Sequence, residues 1–227
     1  LAFWRFSAPI QVTAAAHPEY RRVIEEIVRD FDVGAVLVSS LIGHALDSLD
    51  TGLPTVIVNH DYYPFCPAIQ IYFGGVCQHC DSNRLAECAA NNPDFNPPHR
   101  VFPVAERIRV RERYLELVES NAIALVVPSR SAREHLERLA PRLGKAAFVT
   151  IPHGYPAGLS PMPHHGPAPG GKLRIVVLGM LSVSKGMRLL FEALPQLLEF
   201  AEIHLVGAKE AGELFRGIPG VHVVEQY

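Results

Sequence analysis

The chain of 227 residues lacks several features that define particular classes of protein. No apolar run approaches the roughly 20 residues that cross a bilayer, and the N-terminus has no signal-peptide pattern. Its 21 basic residues are balanced by 23 acidic ones, and the resulting net charge of −2 disfavours binding to nucleic acid. These absences predict a cytoplasmic protein with no nucleic-acid partner.

The patterns that are present alternate between helix and strand. Amphipathic spacing predicts helices at 17–32, 43–52, 104–120, 131–139, 185–199 and 209–216. Ser131 and Glu134 have the spacing of a capping box for the fourth of these helices. Short valine-rich runs predict strands at 33–40, 54–60, 122–129, 146–152, 173–179, 202–207 and 221–225. Such alternation predicts an α/β protein with parallel sheets.

The segment 152–172 interrupts this alternation. It holds six prolines and five glycines and shows no periodicity, which is typical of a linker between domains. We therefore expect a first domain at 1–152, a linker at 153–172 and a second domain at 173–227. In parallel sheets, ligands bind outside the carboxyl ends of the strands.

One strand end carries a glycine- and lysine-containing loop, in which Gly179 is followed by Lys185 and Gly186. A lysine near a helix N-terminus costs roughly 0.3–1 kcal/mol unless an anion joins it. Glycines let backbone N–H groups approach a phosphate closely, although the loop is not a Walker motif. From the spacing alone, phosphate binding and a solvated lysine are both open.

The order of the motifs points to a family. HDYYPFCP, VVPS, IPHG, LGMLSVSKGMRLLFEAL and IHLVG follow one another along the chain. Together they resemble the family-four (group 1) glycosyltransferases of the GT-B fold, which has two Rossmann-like domains with a cleft between them. The resemblance implies that 1–152 is the C-terminal part of the acceptor-side domain and that 173–227 is the N-terminal part of the donor-binding domain. The resemblance implies a retaining transfer of a hexosyl-type sugar from a UDP- or GDP-sugar to a glycan or glycoconjugate acceptor, as in polysaccharide biosynthesis. No catalytic metal is expected.

The resemblance also assigns roles to particular residues. Lys185 matches the lysine that contacts the donor diphosphate, and three glycines match those of the donor loops: Gly179, Gly186 and Gly207. His60 matches a cleft residue near the transferred sugar, or it only caps a strand end. Asp61 orients the His60 imidazole or only opens the turn.

Two departures from the family pattern bear on these roles. Met180 stands where the family usually has an arginine, so one of two cations on the diphosphate is missing. His153 replaces an asparagine in the IPHG motif.

The resemblance covers only the middle of a glycosyltransferase. The acidic Glu-x7-Glu region and the glycine-rich acceptor loop of the family are not found in this sequence. We therefore expect an internal fragment that is inactive alone and that self-associates through unpaired sheet edges. Two alternatives stay open: a sugar-nucleotide epimerase of similar architecture, and a non-catalytic interaction module stapled by zinc.

The cysteines are confined to one region, at Cys66, Cys77, Cys80 and Cys88. A CxxC pair is a common zinc knuckle, and the two flanking cysteines would complete a tetrahedral thiolate site. Structural zinc and free buried thiols are both open, whereas disulfides are disfavoured in a reducing compartment.

A series of arginines raises the question of membrane contact. The series is Arg100, Arg107, Arg109, Arg111 and Arg113, and it is interleaved with Glu106, Glu112, Glu116 and Glu119. Alternating charges predict a solvated, ion-paired helix face. Peripheral contact with an anionic membrane is the alternative.

Overall fold

The structure, a computed structural model, describes residues 3–10, 12–92, 95, 102–154 and 171–224. Contacts within the chain divide it into two compact units, Leu1–Tyr155 and Pro156–Tyr227. The division falls inside the segment for which a linker is predicted, of which residues 155–170 lie outside the described residues. The acceptor-side and donor-side roles of the two domains stay predictions.

The first unit is built on a four-stranded parallel sheet with the order β2-β4-β5-β6. These strands are β2 Val36–Val38, β4 Thr55–Val58, β5 Ile123–Val127 and β6 Ala147–Thr150. A short parallel pair joins β1 Thr13–Ala14 to β3 His44–Ala45. The helices are α1 Pro18–Asp30, α2 Ser82–Asn91, α3 Val104–Ser120 and α4 Arg130–Leu139, with 3-10 segments at Leu46–Leu49 and Pro141–Lys145.

The second unit has a three-stranded parallel sheet with the order β7-β8-β9. The strands are β7 Leu173–Leu178, β8 Ala201–Val206 and β9 Val221–Val224, the helix is α5 Met187–Phe200, and 3-10 segments lie at Val183–Lys185 and Lys209–Phe215. The prediction of an α/β protein with parallel sheets is confirmed. Within the described residues β7 and β9 are the sheet edges, and self-association through them stays a prediction.

Each unit has its own hydrophobic core. In the first unit, alternate residues of β5 point inward, so that Leu125 and Val127 are buried together with Tyr114 and Leu117 of α3. In the second unit, Ile203 and Leu205 of β8 pack with Leu194 of α5 and with Phe215. Because side chains alternate along a strand, Glu202, His204 and Val206 of β8 lie on the opposite face of that sheet.

Two predicted helices are 3-10 segments instead. In 43–52, His44 and Ala45 extend to pair with β1, which leaves only Leu46–Leu49 for helical turns. In 209–216, Gly212 lies so close to β9 that a Cβ there would come within 2.9 Å of Val223 Cγ1. A glycine in mid-segment also weakens an α-helix.

The predicted capping box is wrong. Helix α4 begins at Arg130, and Ser129 is its N-cap, whose Oγ accepts a hydrogen bond from the N–H of Ala132 at 3.1 Å. Ser131 therefore lies inside the first turn. Glu134 pairs with Arg130 at 2.9 Å instead of returning to a cap N–H.

Among the residues that the structure describes, no helix combines the length and the apolar character that a bilayer crossing requires.

Candidate functional sites

The carboxyl edge of the first sheet carries the predicted sugar-side residues. His60 and Asp61 follow β4 by a few residues, and they line a depression together with Ser39 and Ser40, which follow β2. The His60 side chain is exposed. Asn59 holds the backbone there, since its N–H and its Nδ2 both donate to the carbonyl oxygen of Val126, at 2.8 and 3.1 Å.

Asp61 has a local role in this loop. Its Oδ1 accepts a hydrogen bond from the N–H of Tyr63 at 2.8 Å, which is the geometry of an Asx-turn. This contact supports the alternative in which Asp61 opens the turn. An exposed imidazole at a strand end can still bind a polyhydroxylated ligand or exchange a proton with it.

The glycines of the second unit lie at the carboxyl edge of its sheet. Gly179 and Gly207 donate their N–H groups to Val206 and Val224 at 2.8 and 2.7 Å, so each continues a strand by one residue. Both have positive φ angles, of 92° and 77°, as does Gly186 with 82°. A Cβ on Gly179 or Gly186 would meet nothing within 4 Å, so backbone conformation and not crowding requires glycine there.

Lys185 lies beside the N-terminus of α5. It is the last residue of the 3-10 segment Val183–Lys185 and is exposed. Gly186 is the N-cap of α5 and supplies no side-chain cap, and the first turn of this fully described helix contains no acidic residue. Met187 already donates its N–H to the carbonyl oxygen of Ser182 at 3.1 Å, so the lysine and the other N–H groups of that turn combine into a site suited to an anion.

The four cysteines gather in one satellite cluster of the first unit. All four are free; Cys66 and Cys88 are buried, whereas Cys77 and Cys80 are half-buried. They pack with the apolar residues Ile71, Leu85 and Phe95. Burial raises the pKa of the Cys66 thiol to about 11 and also raises the pKa of Cys88. Neutral buried thiols are poor nucleophiles, so a catalytic role for these two is disfavoured.

Nitrogen donors surround this cluster. The N–H of Ile71 donates to Cys66 Sγ at 3.3 Å, Asn92 Nδ2 donates to Cys88 Sγ at 3.2 Å, and Arg111 Nη2 donates to Cys80 Sγ at 3.2 Å. Arg84 interacts electrostatically with Cys77, whereas its hydrogen bonds go to Glu87 and to the carbonyl oxygen of Phe73. Three of the four sulfurs thus have an N–H partner.

A second set of ligand-type side chains was not predicted. In the described part of the chain, Glu202, His204 and His222 are the one group of three whose ligand atoms all lie within 4.8 Å of one another. No three of the four cysteine sulfurs, by contrast, lie within 4.8 Å of one another. The His204 and His222 rings stack with centroids 4.5 Å apart, because these residues are register partners on β8 and β9. Two imidazoles and a carboxylate suit a divalent transition metal.

The signal for this set lies in strand alternation. Glu202 and His204 occupy alternate positions of β8, and His222 faces His204 across the parallel ladder. Only the strand register joins them, and the sequence alone does not fix that register.

The arginine series corrects a prediction. Arg107 and Arg111 are buried, with exposed fractions of 4% and 6%, so they do not belong to a solvated face. They are one helical turn apart on α3, on the side that faces residues 59–81, which hold three of the cysteines and are called the cysteine segment below. Burial lowers the pKa of Arg107 to about 10, and its guanidinium lies 4.8 Å from the centre of the Phe95 ring.

The ion-paired interpretation fits the other members of the series. Arg109 pairs with Glu106 at 2.6 Å, and Arg113 pairs with Asp50 at 2.8 Å. Arg100 lies outside the described residues.

Comparison with known proteins adds no assignment. No protein-family model matches the chain, and no curated protein matches it.

Proposed function

We propose that this chain is part of a retaining glycosyltransferase of the GT-B type. The reaction is transfer of a sugar from a UDP- or GDP-sugar to a glycan or glycoconjugate acceptor. The observation that carries the proposal is the exposed Lys185 beside the N-terminus of α5, which has no side-chain cap, at the carboxyl end of β7. The order of the five motifs that resemble the glycosyltransferase family supports the same function.

The chemistry of this site fits a departing nucleoside diphosphate. Negative charge builds on the diphosphate as the glycosidic bond breaks, and a fixed cation with aligned N–H groups stabilises that charge. A hydrogen bond to a charged group contributes about 1.5–3 kcal/mol. Gly179 and Gly186, through their positive φ angles, shape the loop that presents Lys185.

Another cation is available for the role of the arginine that the family usually has where Met180 stands. Arg188 lies in the first turn of α5, and its side chain is exposed. It can supply a second cation to the same anion, since the first turn presents its side chains around the N–H groups.

In the first unit, we assign His60 to the sugar-binding side of the reaction. It follows β4 at the edge where parallel sheets bind ligands, and Asn59 and Asp61 hold the backbone on either side of it. The four free cysteines fit the cytoplasmic location that is part of the proposal, because a reducing compartment keeps thiols unpaired.

Titration calorimetry with UDP and GDP tests the proposal. Lys185→Ala should weaken binding roughly 10- to 150-fold, the equivalent of one charge-assisted contact. Arg174→Ala is the matched control, because Arg174 is an exposed cation near the amino end of β7, at the opposite end of the strand. Its affinity should equal that of the wild type.

Two results would contradict the proposal. One is equal affinity of the wild-type and Lys185→Ala proteins for the same nucleotide. The other is epimerisation of a nucleotide sugar without transfer in the protein that contains this chain, which would favour the epimerase.

A further inference from the structure

The segment 59–81, between β4 and α2, is long for a connection inside a compact unit. In these described residues it forms turns and one isolated antiparallel bridge, between Tyr72 and Val76, but no helix or strand. Loops of this length usually have a function or need a constraint beyond their own hydrogen bonds. Three of the four cysteines lie in this segment, and the fourth lies on α2.

We infer that Cys66, Cys77, Cys80 and Cys88 bind one Zn²⁺ ion, which holds this segment against α2 and α3. Cys77 and Cys80 form the knuckle of the site, directly after the bridge, where the N–H of Cys77 donates to the carbonyl oxygen of Ile71 at 2.7 Å. Four cysteines are a common ligand set of structural zinc, and such a site has no open position for catalysis.

The hydrogen bonds to sulfur suit zinc-bound thiolates. A neutral thiol is a weak acceptor, yet an N–H group is directed at three of the four sulfurs, those of Cys66, Cys80 and Cys88. Zinc-bound thiolates are strong acceptors, and surrounding donors orient them and tune the metal. Packing of free thiols in an apolar cluster would not require these three donors.

The charges agree with a bound metal. A Zn²⁺ ion with four thiolates carries a net charge of −2, and the guanidinium group of Arg111 offsets part of it. Among the described residues, the buried Arg111 donates to carbonyl oxygens and to Cys80 Sγ, and none of these partners is a carboxylate. A buried cation with no carboxylate partner is costly, and the zinc–thiolate centre supplies a counter-ion. Arg84, by contrast, is paired with Glu87 at 3.1 Å.

Binding must draw the sulfurs together. Four Zn–S bonds of about 2.3 Å in a tetrahedron place the sulfurs about 3.8 Å apart. Four neutral thiols release four protons to solvent as they coordinate, and no electrons are exchanged. An open depression lined by Gly74, Gly75 and Cys77 gives the ion access from solvent.

Elemental analysis tests the inference directly. The wild-type chain, purified under reducing conditions without chelator, should contain one zinc ion per chain. The Cys77→Ser, Cys80→Ser double variant should lose that zinc. The His204→Gln, His222→Gln double variant is the matched control, because it removes the other metal-ligating group and should keep the zinc.

Cobalt substitution tests the ligands without any change in sequence, in case the cysteine variant does not fold. Co²⁺ added to the metal-free wild-type chain should give intense sulfur-to-cobalt charge-transfer bands and the visible bands of a tetrahedral site. Three results would overturn the inference: wild-type protein without zinc even after incubation with it, a cobalt spectrum without the sulfur bands, or zinc that only the histidine variant loses. None of these readouts depends on glycosyltransferase activity.

Discussion

The guanidinium of Arg111 lies 3.2 Å from the sulfur of Cys80, and its Nη2 donates a hydrogen bond to that sulfur. The same side chain donates to the carbonyl oxygens of Pro64, Phe65 and Cys80. Arg111 belongs to α3, whereas its partners among the described residues belong to the segment between β4 and α2. One buried side chain therefore connects the helix to a segment that has no helix or strand of its own.

Replacing Arg111 by methionine should lower the free energy of unfolding by about 3 kcal/mol, because a buried carbonyl that loses its donor costs about 1–3 kcal/mol. Arg109→Met on the same helix is the matched control. Arg109 is exposed and pairs with Glu106, and surface pairs contribute only about 0–1 kcal/mol. Denaturant unfolding followed by the fluorescence of Trp4, the one tryptophan of the chain, reports on the first unit.

Equal unfolding midpoints for the Arg111 and Arg109 variants would contradict this prediction. If the zinc site is present, Arg111→Met should also weaken zinc binding roughly 10- to 100-fold, as loss of a partner behind a metal ligand does.

The N-cap of α4 gives a second prediction. Ser129→Ala should lower the free energy of unfolding by about 1 kcal/mol, since the Oγ that accepts from the N–H of Ala132 is lost. Ser131→Ala is the control and should change stability little, because Ser131 lies inside the helix and alanine is the better helix former. The same fluorescence measurement compares them. If the free energy of unfolding fell more in the Ser131 variant than in the Ser129 variant, that result would support the capping box predicted from the sequence.

Local patterns predict much of this fold. Helix α3 has the predicted range, and the strands predicted at 54–60 and 122–129 contain the observed Thr55–Val58 and Ile123–Val127. These elements follow from the apolar periodicity of a helix and from short valine-rich runs, which are properties of neighbouring residues. The glycine- and lysine-containing loop likewise follows a strand, β7, as the sequence predicts, and its role as a ligand site stays a prediction.

Sequence patterns do not predict features that depend on contacts between residues far apart in the chain. In the sequence Arg111 resembles Arg109, and only the packing of the cysteine segment against α3 makes one buried and the other exposed. His204 and His222 meet because of the register between β8 and β9. A periodicity within one element carries no information about which segment will cover it.

The loop at Lys185 allows a test of backbone conformation. Gly186→Ala should destabilise the second unit by roughly 1–2 kcal/mol, because φ is +82° and a Cβ is unfavourable there. The added Cβ meets no atom within 4 Å, so the cost is conformational. Gly186→Asn is the control and should cost less, since asparagine tolerates left-handed φ angles. Hydrogen exchange of the β8 amides measures opening of this unit, and equal exchange rates for the two variants would contradict the prediction.

The departure at Met180 gives the last prediction. Met180 follows Gly179 at the carboxyl end of β7, and 47% of its surface is exposed, so a longer charged side chain can be placed there without displacing the core. If the loop binds a diphosphate, Met180→Arg adds a second charge-assisted contact worth about 1.5–3 kcal/mol before the cost of ordering its side chain. UDP or GDP affinity should then rise roughly 10-fold, and it should fall more steeply with added salt than wild-type affinity does. Met180→Gln, which is similar in length but uncharged, should leave affinity and salt dependence unchanged. Equal affinities for the arginine and glutamine variants would show that no anion binds beside residue 180, and the diphosphate would then have to be sought elsewhere than at Lys185.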